Sequence, residues 1–538
     1  MATSYKQQKP IGKYHSIIIG SGMSGMALAA ILAKEGKKCL LLERHYTPGG
    51  FTHVFKRRNY EWDVGIHYIG DVHRPQSVLR QMFDYVSESR LQWEEMDANY
   101  DRIFFGKEAY NLVAGKEAFI NTLVTYFPEE KKAIEQYYQT VTAAFKQAKN
   151  FFAEKAMPPL LSKFVGNRMR KKTLEFASVT TRNMLENITQ NQKLIGVLTG
   201  QYGDYGLPPA QSSFLMHSAV VKHYMHGGAF PVGGSAEIFN TIEPTINEAG
   251  GEVFTNAEVK KIRIKNGKAI GVQMADDKEL FAKHIISSAG AGVTFNQFLK
   301  DEKSTQKFKQ VADKINPSAC HLCLYVGLNA DNEVLQLPKT NFWIYPENGY
   351  NHDETMANFF NDPDNAPLPV VYMSFPAVKN LTWNKRYPNR STVELITITK
   401  YDQFKNWENT RWHKRGETYE SYKEKLAQRL LKYMYEYVPQ TKPYLDYYEL
   451  STPLSTKSFV NYEQGEIYGL KHTPERFNDK TLRAITPIKN LYLTGQDIAT
   501  AGIGGALNSA VLTASAMLKK NMLSKILNQT KQRLTETN

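Results

Sequence analysis

The chain has very little cysteine, three residues in 538: Cys39, Cys320 and Cys323. That excludes a disulfide framework and suits a reducing, cytoplasmic setting. Cys320 and Cys323 form a CxxC, but no second pair exists to complete a zinc site. The text around them, Ser318 to Gly327, reads as a strand, and residues three apart on a strand face opposite sides. The 13 histidines form no HExxH or related pattern. His217, His223 and His226 cluster without nearby carboxylates, so no metal site is expected. Nucleic-acid signatures are missing too: no zinc finger, no RNA-binding motif, no basic helix leading into heptads. The net charge of +14 therefore points to an anionic membrane surface or an acidic ligand, not to nucleic acid. Long hydrophobic runs are also lacking. Ser16 to Ala33 is free of charge and follows Lys6, Lys9 and Lys13, which could pass for a signal anchor or a span. Its Gly and Ser residues are better explained by a strand, a turn and a helix. Neither a signal peptide nor a transmembrane helix is expected.

What is present begins at that same stretch. The apolar run Ile17 to Ile19 leads into Gly20-x-Gly22-x-x-Gly25, a helical segment, a second apolar run Cys39 to Leu42, and Glu43. This is the order of a β-α-β unit that holds a dinucleotide. Gly20 permits the tight turn, Gly22 lets the backbone approach a pyrophosphate, and Gly25 lets helix and strand pack closely. The helix N-terminus offers unpaired N–H groups to phosphate, and Glu43 can accept hydrogen bonds from an adenosine ribose. Ser24 in the turn and Arg44 after the acid join the expected contacts. Pro48-Gly49-Gly50 adds a second flexible turn near the same ligand.

A matching element closes the chain. Leu491 to Leu493 read as a short buried strand, followed by Thr494-Gly495-Gln496-Asp497 and then Gly502-x-Gly504-Gly505-Ala506. Apolar residues recur at helical spacing from Ala506 to Leu518. This return can set Gly495, Asp497, Gly504, Gly505 and Ala506 against the distal half of a long cofactor. A nicotinamide dinucleotide needs no such return; a flavin dinucleotide, FAD, fits better. One clear fingerprint implies no separate NAD(P)H domain and leaves the electron donor unknown.

Between the two ends, Glu252 to Ser288 reads as a β meander. Ile262 and Ile264 alternate before Asn266-Gly267, and Ile270, Val272 and Met274 after it, which is a hairpin signal. Phe281 to Ser287 reads as a third strand, and Ala236 to Ala249 as a helix. The expected fold is α/β: a discontinuous Rossmann-like FAD-binding domain with an inserted mixed α+β substrate domain and a helical membrane or lid region. Residues 1–75, 230–299 and 481–538 would bind FAD, 76–229 would be mainly helical, and 300–480 would mix strands and helices. Phe151 to Leu174 interleaves Phe151, Phe152, Leu160, Leu161, Phe164, Val165 and Met169 with Lys163, Arg168, Arg170, Lys171 and Lys172. That pattern suits an interfacial helix, apolar side down, on anionic headgroups. The plain alternative is a basic helix over the protein's own core.

Over nearly the whole chain, about residues 14–520, the sequence resembles the retinol saturase branch of the phytoene desaturase and carotenoid isomerase superfamily. Besides the two flavin motifs, the matching text is Gly65-Ile-His-Tyr-Ile-Gly70, Phe214 to Met225, Gly227 to Glu237, Phe375-Pro376, Trp383, Arg386 to Ser391, Ser451 to Leu454, Tyr468-Gly469 and Leu491 to Asp497. The chain departs from the animal pattern over Thr456 to Gly465 and is expected to lack the cleavable leader of the animal enzymes. The resemblance implies an FAD-dependent enzyme acting on carbon–carbon double bonds of a long apolar polyene, most simply by saturation. Desaturation, or isomerisation of a carotenoid or unsaturated fatty acid, is the alternative. His67 and Tyr68, just after the N-terminal flavin segment, are the expected catalytic pair because they can reach the ring. Tyr202, Asp204 and Tyr205 in a Gly-rich loop, and His217 and His223, are lesser candidates. The plain alternative for these aromatics is cavity lining and for these histidines packing. The partners expected are the apolar polyene or lipid and an anionic membrane surface touched peripherally.

Overall fold

A computed structural model describes residues 2–536. Three segments far apart in sequence build one eight-stranded sheet. Its order is Thr3–Ser4, Glu252–Thr255, Cys39–Leu42, Tyr14–Ile19, Glu279–Ser287, Lys268–Met274 and Val259–Lys265, with Leu491–Leu493 also paired to Glu279–Ser287. Pairing is parallel from Thr3–Ser4 through Glu279–Ser287 and antiparallel beyond it. The helix Met23–Lys34 makes the first crossover. It is apolar on every side, as a helix must be when it is covered all round. The helices Glu237–Glu248 and Gly502–Leu518 pack against it. Asn266 and Gly267 both take positive φ, 50° and 69°, the turn that matches strand twist in a two-residue hairpin.

A second sheet of seven strands runs Leu445–Ser451, Cys320–Leu328, Ser391–Thr399, Val371–Ser374, Asn341–Tyr345, Asn99–Phe105 and Glu108–Val113. The last two lie in the stretch whose pattern reads as mainly helical. Asn99–Phe105 finds its neighbour in parallel register with Asn341–Tyr345, some 240 residues away. A local pattern cannot register such a partner. Cys320 and Cys323 are both buried on one strand. The Cys320 thiol donates to the Gln464 carbonyl at 2.9 Å, while Cys323 packs with Tyr60, Trp62 and Tyr325.

The stretch Phe151 to Leu174 is not one interfacial helix. Pro158 and Pro159 interrupt it, and Lys131–Lys155 and Pro159–Ala177 fold against each other as a hairpin. Phe151 is fully buried, and Arg170 is only 1% exposed. Arg170 sits 3.7 Å from Glu154 and donates to the carbonyls of Phe477 and Asp479. It therefore ties the hairpin to the body and does not face a membrane. The exposed apolar side is instead Phe145, Leu160, Leu161, Phe164 and Val165, flanked by exposed Lys163, Arg168, Lys171 and Lys172. No helix among the described residues is long and apolar enough to cross a membrane.

Candidate active site

The first strand–turn–helix and the C-terminal one open into the same cavity, of about 1360 Å³. Gly20, Gly22, Ser24, Glu43, Arg44 and Gly50 line it from one side, and Gly495, Gly504, Gly505 and Ala506 from the other. Small-molecule pockets usually hold roughly 300–1,000 Å³, so there is room for a long cofactor and a second molecule. Gly20 takes φ +96°, and Gly50 approaches Gly22 so closely that a Cβ on Gly50 would meet the Gly22 Cα at 2.9 Å. A Cβ on Gly22 would meet no protein atom within 4 Å; it would project into the space where a phosphate is expected. Gly25 lies behind the wall, where a Cβ would meet the Gly20 carbonyl oxygen at 2.0 Å.

Glu43 is organised before any ligand arrives. Its Oε2 accepts from the Ser21 N–H at 2.9 Å and the Ser21 hydroxyl at 2.7 Å, and its Oε1 accepts from the His45 N–H at 2.8 Å. The Ser21 hydroxyl oxygen in turn accepts from the Gly49 N–H, which joins the two turns. A carboxylate oxygen has capacity left for a ribose hydroxyl. Two helix N-termini, at Met23 and Gly502, face this cavity. The cradle fits a flavin dinucleotide: one end offers N–H groups and an acid, the other continues into an aromatic chamber.

Not every expected contact reaches the cavity. Asp497 and Gly49 do not line it. Asp497 Oδ2 accepts from the Ala291 N–H at 2.7 Å, and Oδ1 from the Leu470 N–H at 2.8 Å. Both oxygens are spent holding two loops. The Ser24 hydroxyl is shared with Ser288 at 2.7 Å, and Arg44 donates to the Ser458 carbonyl.

The chamber is walled by Tyr68, Tyr224, Trp343, Tyr372 and Tyr468. Tyr68 stacks on Tyr224 at 4.2 Å, and its hydroxyl donates to Asp101 Oδ2 at 2.7 Å. His67 also lines the chamber. Its Nδ1 lies 2.7 Å from Glu394 Oε2; both atoms are enclosed, although neither has a hydrogen bond of good geometry. Burial pushes the Glu394 carboxyl well above the usual carboxylate range, against the pull of Lys379 and the Asp63 N–H. Burial, with the nearby Lys379 charge, pushes His67 down to about 3. The acid therefore holds the proton and the imidazole is neutral. Lys379 donates to the His67 carbonyl at 3.0 Å, to the Ser374 hydroxyl at 2.7 Å and to Asn341 Oδ1; burial brings it down to about 7. Sequence reasoning missed Glu394 and Lys379. The available signal was a lone acid inside the apolar strand Ser391–Thr399.

The lesser histidines are both hydrogen-bonded, and of the two only His223 lines the cavity. His217 pairs with the Tyr137 and Tyr205 hydroxyls at 2.8 and 3.3 Å. His223 Nε2 accepts from the Gly70 N–H at 2.9 Å.

Residues 23–518 match the flavin containing amine oxidoreductase family. An all-trans-retinol 13,14-reductase of Danio rerio is 34% identical over 529 residues, 94% of this chain and 86% of that protein. Prolycopene isomerase 2 of an Oncidium hybrid cultivar is 24% identical over 92% of this chain and 83% of its own. Among solved structures, an oxidoreductase from Methanosarcina mazei superposes with a TM-score of 0.63 at 15% identity, covering 94% of this chain and all of its own.

Proposed function

The chain belongs to the flavin containing amine oxidoreductase family, and on that premise we propose that it saturates a carbon–carbon double bond of a long apolar polyene. It is an FAD-dependent oxidoreductase of CH–CH bonds. The observation that carries the substrate reading is one continuous cavity, polar and glycine-lined at one end, aromatic at the other. The cofactor would be held by Gly20, Gly22, Glu43, Gly50, Gly495, Gly504 and Gly505. Reduced flavin supplies the hydride.

The protein must do the rest. Tyr68, Tyr224, Trp343 and Tyr372 flatten the chamber and exclude water, so a conjugated chain is oriented by stacking. The second alkene carbon needs a proton. His67 Nε2–H gives it while Nδ1 receives one from Glu394, so the imidazole changes tautomer without carrying charge. The nearby Lys379 compensates the carboxylate left on Glu394. The substrate comes from a membrane, because each methylene-sized unit gains about 0.8 kcal/mol on leaving water. Phe145, Lys146, Lys149, Phe152, Met157 and Pro158 line the cavity beside the exposed tip of the hairpin. This is where an apolar chain would enter from an anionic surface.

The test is anaerobic incubation of the reduced enzyme with a polyene alcohol, followed by mass spectrometry. A gain of two mass units is expected. A loss of two when the oxidised enzyme is incubated in the same way would mean desaturation, and an unchanged mass with a shifted absorption spectrum would mean isomerisation.

A further inference from the structure

Two acids lie by the aromatic end of the cavity, Asp101 bonded to the Tyr68 hydroxyl and Asp204 in the wall itself, and the fold treats them differently. Asp101 is fully buried and fully used. It accepts from the Tyr68 hydroxyl, from Gln201 Nε2 at 2.7 Å and from Asn341 Nδ2 at 3.0 Å. Asp204 ends the short turn Tyr202–Asp204 and stands in the cavity wall. Its Oδ2 is enclosed and has no hydrogen-bond partner among the described residues. Its setting is apolar: Trp343 packs so tightly on Gly203 that a Cβ there would lie 2.6 Å from the indole. Tyr224, Tyr372 and Tyr468 share the wall. An enclosed carboxyl without a partner costs stability, and native folds keep such groups for a reason.

We propose that Asp204 receives the polar end group of the substrate, so that the enzyme is built for a polyene ending in a hydroxyl and not for a hydrocarbon. This rests on the reading of the cavity as a polyene site. Burial, with Asp101 nearby, pushes the Asp204 carboxyl well above the usual carboxylate range. It is then a neutral acid with one O–H donor and one carbonyl acceptor. An alcohol, which also donates and accepts, satisfies both at once. A hydrocarbon chain leaves both unmet, and discrimination of that kind is large because the orphaned group sits in the protein. Asp204 would also fix which double bond reaches the reacting position, since anchoring one end sets the depth of the chain.

The experiment compares the FAD-loaded wild type with Asp204→Asn and Asp204→Leu. Binding is read by quenching of protein fluorescence, using a polyene alcohol and the same polyene with hydrogen in place of the hydroxyl. The wild type should bind the alcohol at least tenfold more tightly. Asp204→Asn, which keeps a donor and an acceptor, should retain most of that preference. Asp204→Leu should abolish it and raise KM for the alcohol at least tenfold, with kcat at saturation changed less than threefold. Equal binding of alcohol and hydrocarbon by the wild type would overturn the proposal. So would a loss of kcat in both variants with unchanged affinity, which would make Asp204 a proton donor. If the wild type bound neither polyene, the cavity reading itself would fall and this inference with it. Should the leucine variant fail to take up flavin, the wild-type preference and the asparagine variant still decide.

Discussion

One methyl group separates two glycines that a motif treats alike. At Gly25 an added Cβ would press on the Gly20 carbonyl oxygen at 2.0 Å. Gly25→Ala should therefore cost roughly 1–3 kcal/mol of stability through overpacking, with or without cofactor. At Gly22 the added methyl touches no protein atom. Gly22→Ala should keep its apoprotein melting temperature and lose FAD, which thermal scans of flavin-free protein will separate. Glu43→Ala should weaken FAD by roughly 1.5–3 kcal/mol, the worth of a hydrogen bond to a charged acceptor; equal affinity in an equilibrium titration would remove Glu43 from the site. The proton relay has its own signature. Glu394 is active while protonated and Lys379 while charged; the carboxyl is raised but the ammonium is brought down to about 7, so the rate should fall from about neutral pH upward. Asp63, brought up to about 7 by burial and by Glu394, ionises first and pushes Glu394 higher still; Lys379 opposes it, and Cys323 and Tyr325 pack beside it as neutral groups. Glu394→Gln should lower kcat by roughly 10²–10⁴ and abolish that alkaline limb. An unchanged limb would put the donor elsewhere. The glycines and Glu43 were readable because a turn's geometry is local. Glu394 and Lys379 were not read as a site, and Asp204 only as a lesser candidate, because what makes them chemical is enclosure by strands and loops distant in sequence.

The helical hairpin shows what an element hides. Read as text, Phe151 to Leu174 is one stripe of cations and apolar groups. Folded, Arg170 turns inward to Glu154 while Arg168, Lys171 and Lys172 stay out. A fair membrane test therefore changes Arg168, Lys171 and Lys172 to Glu and leaves Arg170 alone. That variant should sediment less with anionic liposomes, and wild-type binding should weaken with salt, since exposed charges are screened beyond roughly 10 Å at 0.1 M. Equal sedimentation of both would remove the hairpin from membrane contact. Arg170→Glu, in contrast, should unfold the hairpin, because it sets two acids face to face in the interior. Asp497 carries a related lesson. Its position after a buried strand was legible, but its partners, the Ala291 and Leu470 N–H groups, come from two other loops. Asp497→Ala should weaken FAD by loosening those loops and should lower the melting temperature of the apoprotein as well.

Across the whole molecule, the strands Tyr14–Ile19, Cys39–Leu42 and Leu491–Leu493, the crossover helix and the Asn266–Gly267 hairpin lie where periodicity and turn chemistry put them, while Glu252–Thr255, read as the start of the meander, joins the far side of the sheet between Thr3–Ser4 and Cys39–Leu42. The second sheet was only half legible, since Asn99–Phe105 and Glu108–Val113 join strands far downstream. The cofactor-facing sheet has a consequence for synthesis. Tyr14–Ile19 needs two neighbours, and one of them, Glu279–Ser287, is translated about 260 residues later. At roughly 5–20 residues per second, the ribosome holds an apolar strand with one bare edge for tens of seconds. Leu491–Leu493 and the helix Gly502–Leu518 follow about 200 residues later still. The flavin cradle is complete only once they emerge, and until Glu279–Ser287 is made the bare edge of Tyr14–Ile19 is open to pairing with another polypeptide.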